Sequence, residues 1–330
     1  MTSQNVQSEP IQYVEKCNSA NATNQKSKVQ IVWINVILIS LLHIAALRGL
    51  YLLLTSETMW ITRFFVLVFG MPSAALGVTA GAHRLWSHKS YKAKLPLKIL
   101  LLIMNTSAMQ NSVIVWARDH RMHHTYSETD ADPHNSRRGF FFSHMGWLLV
   151  RKHPELKAKG QTIDMSDLWA DPLLRFQYKY YMFLSFILGV AVPTYIPTLW
   201  GEKLEVAFFV SAILKYVYTL HGTWLVNSAA HMWGMKPYDK HINPVENLTV
   251  SFITSGEGFH NYHHTFPWDY KTAELGNYSL NWTKLFIDIM AVIGLAYDLK
   301  TASPEIIEKR IKRTGDGSHK IHGHEEIPYE

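Results

Sequence analysis

Apolar residues are bunched into four long runs along the chain. The runs cover residues 31–54, 61–82, 181–200 and 204–226, and charged or aromatic residues bound each of them. Crossing a hydrocarbon core of about 30 Å takes about 20 helical residues, so every run is long enough to span a membrane. Buried helices of a large soluble core can show the same pattern, and the first run contains His43 and Arg48. We predict four membrane-spanning helices, because all four runs share this length and these boundaries.

Two shorter apolar stretches, residues 95–109 and 285–299, complete the pattern. Both are too short for spans, and helices that lie at the membrane interface or dip into it explain them better. Polar sequence fills both ends of the chain. We therefore predict an N-terminal tail (1–30), a membrane domain (31–300) and a C-terminal tail (301–330), and we assign His319, His322 and His324 to the C-terminal tail.

Basic residues predict the orientation of these spans. The average composition, with 48% hydrophobic residues and a formal net charge of +6, resembles that of a large soluble protein. The short connections at 55–60 and 200–203 carry one basic residue, Lys203, whereas several lysines and arginines precede the first run and follow the second. Because basic loops stay in the cytosol, we expect both termini and the long middle segment there. The expected surroundings are membrane lipid, and no nucleic acid partner is expected.

Histidines form three clusters beyond the ends of the apolar runs. Two clusters share the spacing i, i+3, i+4, and a third is a pair five residues apart; they are His120, His123 and His124, then His260, His263 and His264, and then His83 and His88. Residues at that spacing lie on one face of a helix and can present their rings to one point. One such triplet could be a solvated or hydrogen-bonded patch. Two triplets and a pair in one chain indicate a metal site.

The ligand type narrows the choice of metal. Eight or more imidazoles without cysteine suit a first-row divalent metal such as iron or zinc, and do not suit calcium or magnesium. Eight ligands exceed one coordination shell that keeps open positions, so two metal ions are predicted. Redox iron is favoured, because closed zinc sites usually take four ligands and often include cysteine. A histidine-rich metal-binding or transport protein is the alternative, although it predicts ligands deep within the spans.

These motifs resemble the three histidine boxes of membrane acyl-CoA desaturases. The boxes are His83-Arg84-Leu85-Trp86-Ser87-His88, His120-Arg121-Met122-His123-His124 and His260-Asn261-Tyr262-His263-His264, and the resemblance extends from about residue 31 to residue 320. The stretch Asn243-Pro244-Val245-Glu246 is similar to a signature of the insect branch. The resemblance implies an all-α integral membrane protein, in which four transmembrane helices and a cytosolic helical cap hold a di-iron histidine site.

The family pattern implies a fuller ligand set than spacing alone suggests. It adds His231, which stands alone in the sequence, and Asn227, which would contact the metal through water. The nine implied histidine ligands are His83, His88, His120, His123, His124, His231, His260, His263 and His264. His134, His144 and His153 match no ligand position, so we expect them to be neighbours of the site or residues of the cap surface.

The resemblance also implies an acyl tunnel and a CoA-binding surface. Gln110, Trp116 and Thr223 match the bend of the tunnel, and Met71 and Ala75 match its closed end. Five further residues match positions near the CoA group: Asn111, Arg118, Asp119, Arg151 and Lys152. Basic side chains suit CoA phosphates, although Arg151 and Lys152 could also form a solvated charged face. This chain departs from the family at His221-Gly222, where an asparagine and a small residue are common.

The implied activity is desaturation of a saturated fatty acyl-CoA with O2, in the biosynthesis of unsaturated fatty acids or pheromone precursors. Electrons would come from a separate cytochrome b5 and its reductase, since no fused cytochrome motif is present. The implied location is the endoplasmic reticulum membrane. Δ9 and Δ11 products on C14 to C18 chains are left open at this point. A di-iron lipid hydroxylase or oxidase is the alternative within the same chemistry.

Overall fold

Four long apolar helices dominate the fold in the computed structural model, which describes residues 29–274 and 277–319. They are α1 (Trp33–Leu54), α2 (Trp60–Ser87), α8 (Pro172–Trp200) and α9 (Leu204–His231), and all four have the length and hydropathy of membrane spans. The prediction of four spanning helices is therefore confirmed by length and composition. Most of the predicted N-terminal tail, together with His322 and His324, lies outside the described residues.

Three of the helices are longer than their apolar runs. α2 continues to Ser87 and α9 to His231, while α8 begins at Pro172, well before the predicted start at residue 181. The apolar runs end early because polar and histidine residues follow them on the same helices. The last part of α2, Gly77–Ser87, has wide π-helical turns and is fully buried. π-helical turns of this kind are frequent at functional sites.

The segment after α2 folds against the spans as a short apolar helix, α3 (Leu95–Ser107). Gly77 of α2 lies so close to it that a Cβ would come within 2.2 Å of the Asn105 backbone nitrogen. A core beneath these helices contains Tyr91, Leu101 and Ile114, all nearly inaccessible to solvent. As predicted, α3 is too short to count as a span.

Polar side chains of α9 satisfy the backbone where the chain leaves α3. Lys215 Nζ donates to the Ser107 carbonyl at 3.1 Å, and the Tyr216 hydroxyl donates to the Met109 carbonyl at 3.3 Å. Lys215 is only 3% exposed. Irregular backbone at membrane depth is tolerated where protein groups complete its hydrogen bonds. Lys215 thus explains how α3 can end inside the packed spans.

Replacing Lys215 with methionine is expected to destabilise the protein. The substitution keeps the apolar stem but leaves a buried carbonyl without its donor, which costs about 1–3 kcal/mol. Thermal unfolding of the purified protein in detergent should show the loss as a shift of roughly 2–10 °C. Lys179→Met, at an exposed lysine of α8, is the matched control. Equal stability of the two variants would contradict this role for Lys215.

The cap is built from short helices before α8 and after α9. Before α8 these are α4 (Val113–Tyr126), α5 (Phe140–His144), α6 (Pro154–Gly160) and α7 (Ser166–Ala170), with 3-10 turns at Ser136–Arg138 and Gly146–Leu148. After α9 they are α10 (Leu248–Ile253), α11 (His260–Thr265), α12 (Trp282–Val292) and α13 (Pro304–Thr314). A two-stranded antiparallel ladder joins β1 (Lys92–Ala93) to β2 (Ala296–Tyr297). It ties the segment after α2 to the segment after α12.

The structure differs from two sequence predictions for the C-terminal region. The apolar stretch at 285–299 is helical only in α12, and β2 follows it. Residues 304–314 were predicted to lie in a tail, but they form α13, whose Ile307 and Ile311 are buried against Tyr238, Tyr262 and Phe266. The many charges of α13 hid this single apolar stripe, which has the i, i+4 spacing of one helix face.

Candidate metal centre

Four helices bring the histidine clusters to one place. α4 carries one triplet and α11 carries the other, while His83 and His88 lie at the end of α2 and His231 ends α9. All nine histidines named by the family resemblance fall into two groups, and within each group the ligand nitrogens lie within 4.8 Å of one another. The five-histidine group contains His83, His88, His120, His124 and His263; the four-histidine group contains His123, His231, His260 and His264.

Each triplet is divided between the two groups in the same way. His120 and His124 point into the five-histidine group, while His123 points into the other. α11 mirrors this division, because His260 and His264 share the four-histidine group and His263 crosses over. Residues four apart lie on the same side of a helix, whereas neighbours differ by about 100°. The spacing therefore serves two adjacent sites, and the two helices bridge them.

Several ring nitrogens lie so close together that their N–H groups cannot provide a hydrogen bond for every contact. His260 Nε2 lies 3.0 Å from His231 Nε2 and 3.1 Å from His264 Nε2. His263 Nε2 likewise lies 3.0 Å from both His83 Nε2 and His124 Nε2. A single N–H can bridge one such contact, so lone pairs face each other across the remaining one. A cation between the rings accepts all of these lone pairs, and the donor set therefore fits a metal ion in each group.

Buried carboxylates fix the orientation of three of these rings. Glu257 lies 2.8 Å from His83 Nδ1, and Asp132 lies 3.0 Å from His123 Nδ1. Glu128 lies 3.3 Å from Nδ1 of His231. Each carboxylate holds a proton on Nδ1 and so leaves Nε2 free to bind a metal. Nε2 of His123 is buried and has no hydrogen-bond partner among the described residues.

Burial and mutual repulsion keep the rings neutral. Outside the spans, desolvation and the neighbouring imidazoles hold the pKa well below its usual range for His88, His120, His124, His260, His263 and His264. Neutral imidazole is the form that binds metal. Burial alone would raise the pKa of Glu257, but Arg84 and His83 outweigh it and lower the pKa to about 2. Similarly, His123 lowers the pKa of Asp132 to about 2 against the effect of burial.

A narrow, mainly apolar cavity reaches both histidine groups. Its lining combines largely apolar residues with histidines of both groups: Ala75, Val78, Tyr218, Val226 and Ile253, together with His83, His120, His123 and His260. A second cavity of about 290 Å³, which we call the vestibule, adjoins it. Gln110, Trp116, Thr223 and Asn227 line both cavities. The arrangement can hold a long apolar chain with one segment beside the histidines.

Comparison with known proteins identifies the family of this chain. The fatty acid desaturase profile matches residues 22–285. The chain belongs to the fatty acid desaturase family. It is 58% identical over 295 residues to the acyl-CoA Delta-9 desaturase of Acheta domesticus, which covers 89% of this chain and 82% of that protein. The family resemblance predicted from the histidine boxes is thereby confirmed.

Two other similar desaturases show how wide the relationship is. The chain is 58% identical over 294 residues to the acyl-CoA Delta(11) desaturase of Spodoptera littoralis, covering 89% of this chain and 86% of that protein. It is also 56% identical over 300 residues to the stearoyl-CoA desaturase of Homo sapiens, covering 89% of this chain and 81% of that protein. The Delta-9 and Delta(11) relatives are thus equally similar in sequence to this chain.

The structure gathers most of the residues that the resemblance assigned to the substrate of a desaturase. Gln110, Trp116 and Thr223 stand where the two cavities meet, and Thr223 Oγ1 donates to Gln110 Oε1 at 2.9 Å. Ala75 lines the apolar cavity. Met71 lies one helical turn before Ala75 on α2 and is buried in a separate cluster with Leu52, Val66, Val206 and Val210. Met71 is not among the residues that line the cavity.

The polar residues assigned to CoA lie in the vestibule and beside it. Asn111 and Asp119 line it. Asp119 accepts from Arg118 at 2.9 Å and from Lys152 at 2.8 Å. Arg151 and Lys152 line a neighbouring groove of the cap. These residues form one charged rim, in which the carboxylate of Asp119 holds two of the cations.

The three histidines predicted to be non-ligands lie outside both groups. The His134 ring lies 4.5 Å from the His123 ring in a tilted arrangement, and His134 Nδ1 lies 3.5 Å from Asp132. His153 accepts from the Glu155 backbone nitrogen at the start of α6. The sequence interpretation missed the three carboxylates that hold the rings. Single acidic residues at irregular distances from the histidines carry no spacing signal, and only the folded chain brings them together.

Asp132→Asn is expected to lower metal content and activity about 10- to 100-fold, which is the usual cost of losing such a partner. The amide keeps the size of the side chain but removes the charge beside His123. Asp130→Asn, an exposed acid two residues away, is the matched control. Metal analysis and product formation by both purified variants test the prediction. Wild-type metal content in Asp132→Asn would contradict it.

Proposed function

We propose that this chain is a membrane acyl-CoA desaturase that inserts one double bond into a saturated fatty acyl-CoA of 14 to 18 carbons. The observation that carries the proposal is the apolar cavity that ends at both histidine groups. A cavity of this kind can bury many methylenes, each worth about 0.8 kcal/mol. It holds one pair of them beside the histidines while excluding water, which is the positioning that an unactivated C–H bond requires.

The proposed cofactor is a pair of iron ions held by the two histidine groups. All-imidazole donor sets suit a first-row metal, and an open position suits a redox role better than a structural one. Asn227 is proposed to contact the four-histidine site through water. Two bound iron ions would supply the O2-dependent oxidation that removes one hydrogen from each of two neighbouring methylenes. Glu257, Asp132 and Glu128 keep the ligand rings oriented throughout.

The CoA group is proposed to bind at the charged rim formed by Arg118, Asp119, Arg151 and Lys152, with Asn111 beside it. Basic side chains pair well with phosphate oxygens. Electrons are proposed to come from cytochrome b5 and its reductase. A surface groove lined by His88, Arg121 and His124 reaches the five-histidine group from the solvent side and offers the donor a short path.

The proposed setting is the endoplasmic reticulum membrane, with both termini and the metal centre in the cytosol. Support comes from the four spans and the distribution of basic residues about them. The bond position is proposed to be Δ9 or Δ11. Similar relatives are named for both positions, so identity alone does not choose between them.

Expression in a yeast strain that lacks its own desaturase tests the proposal. We expect growth without added unsaturated fatty acids, and derivatised lipid extracts should show new double bonds at one or two positions. The double variant His123→Ala/His263→Ala, expressed to the same level, is the control for background activity. Hydroxy acids in place of unsaturated acids would favour the lipid hydroxylase alternative. Neither product, despite good expression and a working donor, would overturn the proposal.

A further inference from the structure

Three histidines outside the metal groups form a continuous chain of hydrogen bonds. His43 of α1 lies 3.1 Å from His221 of α9, Nε2 to Nε2. The other nitrogen of His221, Nδ1, lies 3.0 Å from His144 Nε2 at the end of α5. His144 Nδ1 in turn lies 3.0 Å from the Ser228 hydroxyl. These hydrogen bonds thus join α1, the ligand-bearing helix α9 and the cap.

The geometry of this chain differs from that of a metal site. His221 uses its two nitrogens toward opposite partners, so the three rings do not converge on one point, and they are absent from the convergent groups among the described residues. Neutral imidazole carries one N–H and one lone pair, which suits a middle ring that donates on one side and accepts on the other. Among the described residues, no carboxylate pairs with any of these rings. Burial and the neighbouring His221 lower the pKa of His144 to about 4, which keeps it neutral.

All three rings pack against the indole of Trp224. The centroid of its ring system lies 6.3 Å from that of His43 in a stacked arrangement, 5.7 Å from His144 and 5.1 Å from His221. Trp224 is 3% exposed, and it lines the vestibule. Its indole therefore contacts both the vestibule and all three imidazoles.

The elements that carry the three histidines also form part of the vestibule wall. α1 contributes Ile39 and Leu42 to that wall, α9 contributes Leu220 and Trp224, and the cap contributes Trp147. Each of these elements carries or adjoins one histidine of the chain, and His43 Nδ1 donates to the carbonyl of Ile39 at 2.7 Å. The hydrogen bonds therefore hold together the three elements that form the wall.

We propose that His43, His221 and His144 form a histidine chain that positions Trp224 in the vestibule wall, with His221 as a positioning residue for acyl-CoA binding. This inference rests on the proposed function, because the vestibule is where the acyl-CoA would enter. His221 is the middle ring of the three and contacts both of the others. An asparagine there is shorter than an imidazole and reaches one partner, so it cannot join α1 to the cap.

The test compares steady-state kinetics of the purified holoenzyme with stearoyl-CoA as the probe. His221→Leu is expected to raise KM about five- to tenfold, the effect of losing one or two hydrogen bonds, while kcat changes less than about twofold. Leucine is favourable in a membrane helix, so insertion is preserved. His221→Asn should show an intermediate KM. His241→Asn, at an exposed cap histidine outside the chain, is the matched control.

A double-variant cycle separates a chain from three independent packing contacts. If the rings act through His221, His43→Leu raises KM on its own but adds nothing in the His221→Leu background. Iron content should stay near wild type, which excludes a general disruption of the fold around the metal groups. An unchanged KM in His221→Leu, or additive effects in the double variant, would overturn the inference. A wild-type enzyme that makes no unsaturated product would instead overturn the proposed function.

Discussion

His263→Ala and His123→Ala are each expected to reduce desaturation by more than about a hundredfold while leaving membrane insertion intact. His263 belongs to the five-histidine group and His123 to the other, so the two variants open different sites. Loss of a ligand is expected to cost more than loss of its hydrogen-bond partner, for which 10- to 100-fold is usual. Neither residue lies in a membrane span. Product formation in membranes and iron content after purification are the two measurements.

The iron content makes these variants more informative than activity alone. Each variant should lose about one of the two proposed ions, whereas the double variant should lose both. His134→Ala is the control, since His134 contacts His123 and lies near Asp132 without belonging to either group. It should retain both ions and a larger share of activity. More than trace activity in His263→Ala or His123→Ala would contradict the ligand assignment.

The sequence could predict the spans and most of the metal centre because both are periodic. Long apolar runs identify membrane helices, and the repeated i, i+3, i+4 spacing identifies six of the histidines without reference to a family. His231 has no such signal and emerged from the family resemblance alone. The division of each triplet between two groups also follows from helix geometry, but only once the partner helix is known. That pairing depends on how α4 and α11 face each other.

Features that depend on long-range packing could not be predicted from the sequence. In the sequence, Lys215 is an isolated charge near the middle of a span. In the structure it donates a hydrogen bond to a backbone carbonyl more than 100 residues earlier in the chain. His43, His144 and His221 lie far apart in sequence and share no spacing, so their contacts arise only from tertiary structure. The sequence did not predict α13 for a different reason. Charged residues outnumber the two isoleucines that it buries, so its apolar face is inconspicuous in the sequence.

Ala75→Leu is expected to shorten the preferred acyl chain. Ala75 lines the apolar cavity, and the larger side chain would reduce the space available there to an acyl chain. Each methylene that no longer fits forfeits about 0.8 kcal/mol, which is about fourfold in relative preference. Loss of two to four methylenes should therefore favour C14 over C18 acyl-CoA by more than about tenfold. Yeast fed single saturated acids reports this through the chain lengths of the new unsaturated products.

Met71→Ala should act in the opposite direction, with a cost in stability. Met71 lies in a buried cluster one helical turn from Ala75, so its truncation is expected to open space beyond Ala75 and to admit a longer chain. Truncation of a buried methionine costs about 2–5 kcal/mol, and a lower melting temperature should accompany the change. Val68→Leu, at a lipid-exposed position of the same helix, is the control for both variants. An unchanged chain profile in Ala75→Leu would show that the acyl chain ends elsewhere, because a bound chain reaching Ala75 cannot avoid the added side chain.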